Sequence, residues 1–397
     1  MNNKVVLAFS GGLDTTYCAK YLSDDKGLEV HSVIVNTGGF SEEELENVAI
    51  KAKQLGVTTH TCIDETDNFY QNCVKYLIAG NILKNNTYPL SVSAERIFQA
   101  IAIANYANKI GAGHIAHGST GAGNDQVRFD MTFHIICPDI NIITPIRDNK
   151  LSREEEIEFL KAKGVERDWK KSIYSINKGL WGTSVGGVET LTSDGYLPEQ
   201  AFPTQLSKNE PEEMVIEFLK GEPVVVNGQK FKNPAHAIVK IEEIASGFAL
   251  GRDIHVGDTI IGIKGRVGFE AAAPLILIKA HHALEKHTLT KQQLILKDQL
   301  SATYGNMVHE GQFLEPALRD IEKFLDNSQA TVSGTVKLQL MPYRFYVIGI
   351  ESKHDLMSSE FGSYGEMNNA WSGEDVKGFS KIFGNQTMIH RLINKTK

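Results

Sequence analysis

At 397 residues the chain is too long for one ordinary domain, and at about 150 residues per domain it should hold two or three. Apolar residues make up 42% of it and glycine fills 35 positions, which fits a globular chain and excludes disorder and fibrous repeats. With 41 Lys and Arg against 48 Asp and Glu the formal charge is −7, so overall charge favours neither nucleic acid nor an acidic membrane as partner.

Residues 4–9 form a short β-branched, apolar run ending at Ser10-Gly11-Gly12, and from Leu13 the apolar Tyr17, Cys18, Tyr21 and Leu22 recur at helical spacing. The pattern predicts strand, glycine turn, helix. A strand at 29–35, a helix at 42–55 closed by Gly56, a strand at 58–63 and helices at 68–83 and 94–110 follow. Residues 112–117 read as a buried strand leading into a glycine-rich loop at 118–123, then a helix at 126–136 with Asn124 as its N-cap and a strand at 141–146. This alternation predicts a largely parallel sheet. A helix at 152–163 opens with Ser152 and Glu155, the spacing of a capping box.

Beyond Lys170 the composition shifts to glycine, serine and threonine up to about Pro203, and the pattern then becomes mixed. A hairpin is expected from 214–219 and 223–226, helices at 236–244 and 280–300, and two strands within 331–351 around Met341-Pro342. Residues 374–397 place Val376, Phe379, Ile382, Phe383, Ile389, Leu392 and Ile393 near one helical face, which needs a cover from its own domain or a neighbouring subunit. The longest clean apolar run, 271–278, falls far short of the ~20 residues that cross a bilayer, and the amino-terminal residues lack a signal-peptide core, so the cytoplasm is the expected location. Cys18, Cys62, Cys73 and Cys137 match neither a Cys-x-x-Cys metal pair nor a disulfide framework and read as buried free thiols.

Two loops carry chemistry. In Ser10-Gly11-Gly12-Leu13-Asp14-Thr15, two glycines let the main chain turn and approach a ligand, and the following helix offers free N–H groups and a positive dipole end to an anion. Ser10 and Thr15 add hydroxyls, while Asp14 is placed to cap N–H groups or hold a Mg²⁺ that a phosphate also binds. Such a match is expected by chance in roughly 0.1% of chains this long. A Gly-Lys dipeptide is missing, which excludes a Walker A loop, and Gly111-Ala112-Gly113 precedes a strand where a Rossmann fingerprint would follow one. The second loop, with Thr120, Asn124 and Asp125 on one turn and Arg128 one turn on, forms another anion cradle with a hydroxyl, an amide, a carboxylate and a guanidinium.

The first loop resembles that of the N-type ATP pyrophosphatases, which cleave ATP between its α- and β-phosphates. The string Ala116-His117-Gly118-Ser119-Thr120-Gly121-Ala122-Gly123-Asn124-Asp125-Gln126-Val127-Arg128-Phe129 resembles the signature of one branch, the argininosuccinate synthase family, and the likeness extends over essentially the whole chain. It implies an α/β fold, a parallel-sheet ATP-binding domain at 1–165, with an α+β synthetase domain at 166–360 and a tail at 361–397 carrying an oligomerisation helix of a homotetramer. It implies ATP with Mg²⁺, and citrulline and aspartate as substrates joined through citrullyl-AMP. On the family's pattern ATP contacts Ala8, Phe9, Ser10, Gly11, Gly12, Leu13, Asp14, Thr15, Thr16, Val35 and Gly118. Aspartate contacts Thr120, Asn124 and Asp125, and citrulline contacts Tyr88, Ser93, Asn124, Arg128, Ser175 and Ser184. Asp14, Asn124 and Asp125 are the candidate catalytic residues, and no general base is evident.

Three departures stand out. The family's Thr-Ser-x-Ala-Arg-Pro becomes Val92-Ser93-Ala94-Glu95-Arg96-Ile97, a Tyr that meets citrulline becomes Phe269, and a Glu becomes Gly257. Glu270 is the candidate replacement for that carboxylate. The alternative is an acylated citrulline or another ureido compound without a free ammonium. A tRNA-modifying pyrophosphatase fits less well, because the chain is acidic and lacks paired cysteines.

Overall fold

Val5, Val6 and Leu7 are completely buried because the strand that holds them is the middle of a five-stranded sheet. A computed structural model describes residues 2–165, 174–357, 362, 364–366 and 370–395. In chain order the first half runs β1 (Lys4–Ala8), α1 (Leu13–Lys20), β2 (Glu29–Asn36), α2 (Glu42–Gln54), β3 (Thr59–Asp64), the short α3 (Thr66–Phe69) and α4 (Lys75–Ala79), then α5 (Ser91–Ile110), β4 (His114–Ala116), α6 (Asp125–Ile136), β5 (Asn141–Ile143), the single turn α7 (Pro145–Asp148) and α8 (Arg153–Ala162). The order across the sheet is β3-β2-β1-β4-β5, every neighbour parallel. The chain thus proceeds outward from β1 to β3, then returns to the other side at β4. In open α/β sheets, ligands bind beyond the carboxyl ends of the strands at such a reversal, and both glycine loops leave the sheet there.

The second half runs β6 (Ser175–Gly179), β7 (Gly182–Gly186), β8 (Glu212–Leu219), β9 (Glu222–Val226), β10 (Gln229–Lys230), α9 (Pro234–Ser246), β11 (Arg252–Asp258), β12 (Lys264–Glu270), α10 (Ala272–Thr288), α11 (Lys291–His309), α12 (Pro316–Ser328), β13 (Gly334–Met341), β14 (Arg344–Glu351), α13 (Gly373–Phe383) and α14 (Asn385–Ile393). Two antiparallel sheets result, β10-β9-β8-β13-β14 and β11-β12-β7-β6. The largest apolar cluster joins Phe69, Leu77 and Phe98 of the first half to Trp181, Phe269, Ile276 and Leu338 of the second.

The expected parallel sheet and the hairpin at β8–β9 are present. The expected boundaries near 165/166 and 360/361 border on or fall among residues 166–173 and 358–361, outside the described residues. The single helix expected at 280–300 is two helices, because Leu289 is extended and Thr290 restarts the chain with a capping box to Gln293. The glycine-rich stretch after 174 holds the β6–β7 hairpin instead of a bare loop. Of the four thiols, Cys18, Cys73 and Cys137 are buried, but Cys62 is exposed because β3 is an edge strand. No described helix is long and apolar enough to cross a membrane.

One buried ion pair locks together α10, α11, the end of α4 and the residues that follow it. Lys297 Nζ lies 2.9 Å from Glu285 Oε2 and donates to the Ala79 carbonyl at 3.1 Å. Glu285 also accepts from Asn81 and Gln329, and both partners of the pair are fully buried. Breaking a buried pair from one side strands a charge. Lys297→Ala should therefore lower stability by about 3–5 kcal/mol, measured as a fall in the urea midpoint.

Candidate active site

The two glycine loops meet at the carboxyl ends of adjacent strands β1 and β4. Gly11 takes φ +73°, which favours glycine, and Gly12 is extended ahead of α1 with no side-chain cap, leaving the first N–H groups of the helix open to a ligand. A Cβ on Gly118 would lie 3.2 Å from Asp14, so a bare backbone lets the loops touch. Between them and the β6–β7 and β11–β12 hairpins opens a cavity of about 1130 Å³. Its wall includes Ala8, Phe9, Ser10, Gly12, Leu13, Asp14, Thr15, Val35 and Gly118, as well as Tyr88, Ser93, Thr120, Asn124, Asp125, Arg128, Ser175 and Ser184. Residues more than 170 positions apart are thus gathered round one space.

Three predicted residues fall outside that wall. Gly11 lies behind it against Val48 and Lys51, and Thr16 is buried with its hydroxyl donating to the Gly12 carbonyl at 2.6 Å. Glu270 is the larger correction. Side chains alternate along a strand, and with Phe269 packed 5.5 Å from the Tyr88 ring, Glu270 is turned elsewhere. It is buried there, accepting from Arg252 Nε at 2.8 Å and Thr204 Oγ1 at 2.8 Å. It cannot serve as the carboxylate missing at position 257. That space is filled by an imidazole instead, since a Cβ on Gly257 would sit 2.4 Å from His255 Nε2.

The second loop differs from expectation in two respects. Asn124 does not cap α6; its Oδ1 accepts from the Ile260 amide at 2.9 Å, tying the loop to the segment between β11 and β12. Arg128 is not a free cation: Nε and Nη2 donate to the His309 carbonyl at 3.1 and 2.7 Å, and Nη1 donates to Asp125 Oδ1 at 2.9 Å. Asp125 takes a second guanidinium, Arg96 Nε, on Oδ2 at 3.1 Å. Burial alone would raise the Asp125 carboxyl, but Arg96 and Arg128 outweigh it and hold it below the usual range. The carboxylate is thereby kept anionic.

Sequence reasoning missed Glu95, Arg96, Arg153, Lys178, His255, Arg266 and His309, all lining the cavity. The Glu95-Arg96 pair gives a readable signal, two adjacent charges directly after the uncharged first turn of α5; His255 lies on a strand, β11, and carries no comparable signal. His255 stacks on Tyr88 with centroids 5.1 Å apart, and His309 is pushed to about 3, by burial first and then by the charges of Arg128 and Lys84.

Asp14 faces Glu156 of α8. Burial raises both, and the charge of Asp14 helps push Glu156 to about 8, with its Oε2 buried and unpartnered. No group of three or more His, Cys, Asp or Glu among the described residues forms a ready metal cage. The folded chain keeps the Glu156 proton up to about 8, whereas the unfolded chain releases it near 4.5. This carboxyl therefore costs stability as pH rises through that window. In Glu156→Gln the decline in urea midpoint between about pH 5 and 8 should flatten; an unchanged slope would refute the assignment.

Residues 4–166 match the profile of the arginosuccinate synthase N-terminal HUP domain, and residues 174–390 that of the arginosuccinate synthase C-terminal domain. The argininosuccinate synthase of Methanocaldococcus jannaschii is 38% identical, with 100% of each chain covered. Those of Xylella fastidiosa and Dictyoglomus thermophilum are each 34% identical, covering 100% and 98% of this chain and 99% and 98% of their own.

Proposed function

The chain belongs to the argininosuccinate synthase family, and on that premise we propose that it condenses citrulline with aspartate at the cost of ATP, releasing AMP and pyrophosphate. The observation that carries the reading is the opening of both glycine loops onto one cavity at the sheet reversal. ATP lies along residues 8–16 with Val35 and Gly118, its phosphates against the amino end of α1. Thr120, Asn124 and Asp125 receive aspartate. Tyr88, Ser93, Ser175 and Ser184 line the citrulline arm, with Asn124 between the two, and Arg128 holds Asp125 in place and leaves its remaining N–H bonds for a carboxylate.

The ureido oxygen is a weak nucleophile, so the task is to aim it in line at the α-phosphorus and to stabilise departing pyrophosphate. The N–H groups at Gly12 and the start of α1 do this electrostatically. The residues present also fit Mg²⁺ arriving with the nucleotide, because such an ion takes one or two protein carboxylates and fills its remaining positions with phosphate and water oxygens. Asp14, backed by the unpartnered oxygen of Glu156, would hold it; when bound, it spreads the charge of the leaving group. Aspartate's amine then attacks the carbon of citrullyl-AMP and expels AMP.

We assign residues 1–165 to the ATP domain, 166–360 to the synthetase domain and 361–397 to a tail that mates with other subunits of a cytoplasmic homotetramer. No residue of α13 or α14 is buried, and Phe379, Ile382 and Phe383 are 63–78% exposed, which supports a cover from another subunit. An acylated citrulline is a second reading, favoured by His255 standing where Gly257 leaves no carboxylate.

Citrulline-dependent exchange of pyrophosphate into ATP reads the first half-reaction, and argininosuccinate formation reads the second. Acetyl-citrulline and succinyl-citrulline compared with citrulline decide the ureido substrate, and no exchange with any of them would sink the enzymatic reading. Asp14→Ala should abolish exchange. Asp125→Asn should leave exchange within about threefold and cut ligation by about 100-fold or more; equal loss of both would refute its assignment to aspartate.

A further inference from the structure

Resting on that reading, we propose that Glu95 is a catalytic residue, the general base that takes a proton from the ammonium of aspartate so that the amine can attack. It lies just past the first turn of α5, where the family's usual wording has Ala. It lines the cavity between the nucleotide half, at Val35 and Gly39, and the Tyr88–Ser93 wall. It is only 1% exposed. Oε2 accepts from Thr37 Oγ1 at 2.9 Å, its one direct hydrogen bond among the described residues, while Oε1 lies 4.0 Å from Arg96 Nη1. The fold makes room for this carboxylate, since a Cβ on Gly179 would lie 2.1 Å from Oε2.

Most other titratable groups on the wall are committed elsewhere; His255, whose Nδ1 is buried without a hydrogen-bond partner, stacks on Tyr88, and burial holds its imidazole below the usual range, which makes it the weaker base. Asp125 is held anionic by two guanidiniums and Asp14 faces Glu156 at the nucleotide loop. Asp258 pairs with Lys264, and Glu44 closes the cap of α2. His117 has both ring nitrogens engaged, by Asp130 and the Ser119 amide, and His309 is too weak a base. Glu95 is one guanidinium away from Asp125, because Arg96 bonds Asp125 through Nε and approaches Glu95 through Nη1. Groups facing Glu95 are Arg96 on its own helix, Asp125 on α6 and Tyr88 ahead of α5, and Lys178 on the hairpin lines the same cavity. Burial is the main influence on its carboxyl and raises it to about 7, against the lowering effects of Arg96 and Thr37. A base at that value suits neutral pH.

In the step, Glu95 accepts one proton from the α-ammonium. The freed lone pair forms the new C–N bond to the adenylated ureido carbon, and the C–O bond to the phosphate breaks with its electron pair leaving on AMP. The second nitrogen proton departs to that phosphate, and the product guanidinium keeps its charge.

The test is Glu95→Gln in the full-length protein, which retains the contact with Thr37. Wild-type ligation should rise with pH through about 7 and then level off; in the variant that rise should vanish, with kcat for ligation at least about 100-fold lower and citrulline-dependent exchange unchanged. Hydroxylamine, unprotonated at neutral pH and needing no base, should trap citrullyl-AMP equally fast in both proteins. An unchanged pH limb, a rise in the KM for citrulline with kcat preserved, or equally slow trapping by hydroxylamine in the variant would overturn the assignment. Failure of wild-type exchange would overturn the proposed activity itself, so the two failures are told apart.

Discussion

The cavity depends on one chain of charge: Arg96 to Asp125 to Arg128 to the His309 carbonyl. It joins α5 and α6 of the parallel-sheet half to the end of α11, and Arg96 extends it to Asn177 on the β6–β7 hairpin. The half-exposed Asp125 carboxylate offsets much of the desolvation of the two guanidiniums, above all that of Arg128, whose side chain is 5% exposed and would be costly to bury alone. Both walls of the site are therefore set by the same contact that fixes the charge of Asp125.

This arrangement sorts the carboxyls of the site by environment. Asp125, next to two cations, is anionic at any physiological pH, whereas Glu95, in the same wall but with one more distant cation, is driven up to about 7 by burial. Asp14 and Glu156 face each other, and burial with the charge of Asp14 outweighs the lowering effect of Arg153, so Glu156 retains its proton to about 8. Groups whose environments push them apart can take different parts in one reaction. One carboxyl is held anionic, one is raised into the neutral range, and one of the facing pair keeps its proton.

What was legible in the sequence is what is local. Ser10-Gly11-Gly12 and Gly118–Gly123 announce themselves because their glycines, strand ends and helix starts lie within a few residues of one another, and hydrophobic period suffices to read the parallel sheet. Side-chain direction across a tertiary gap is a different matter. Its spacing from Asn124 turns Arg128 toward a ligand, but its partner, the carbonyl of His309, is 181 residues away. Glu270 lies next to the right residue in sequence, yet strand alternation sends it to Arg252. The break at Thr290 is hidden for a further reason, since apolar residues continue through it and only the capping box with Gln293 marks a new start.

An acidic protein holding three anionic substrates poses no contradiction once charge is considered by distance. Screening confines exposed charges to about 8–10 Å at ordinary ionic strength, so the net −7 spread over the whole surface counts for little inside the cavity. There Arg96, Arg128, Arg153, Lys178 and Arg266 converge with the amino end of α1. Much of that positive charge is already anchored: Arg96 and Arg128 by Asp125, and Arg266 by carbonyls of Glu189, Thr192 and Gly195. Anchoring lowers the gross attraction but removes the entropy loss of ordering long side chains when substrate arrives. A preorganised site of this kind trades strength of binding for geometry, which is what a reaction limited by aiming a poor nucleophile requires.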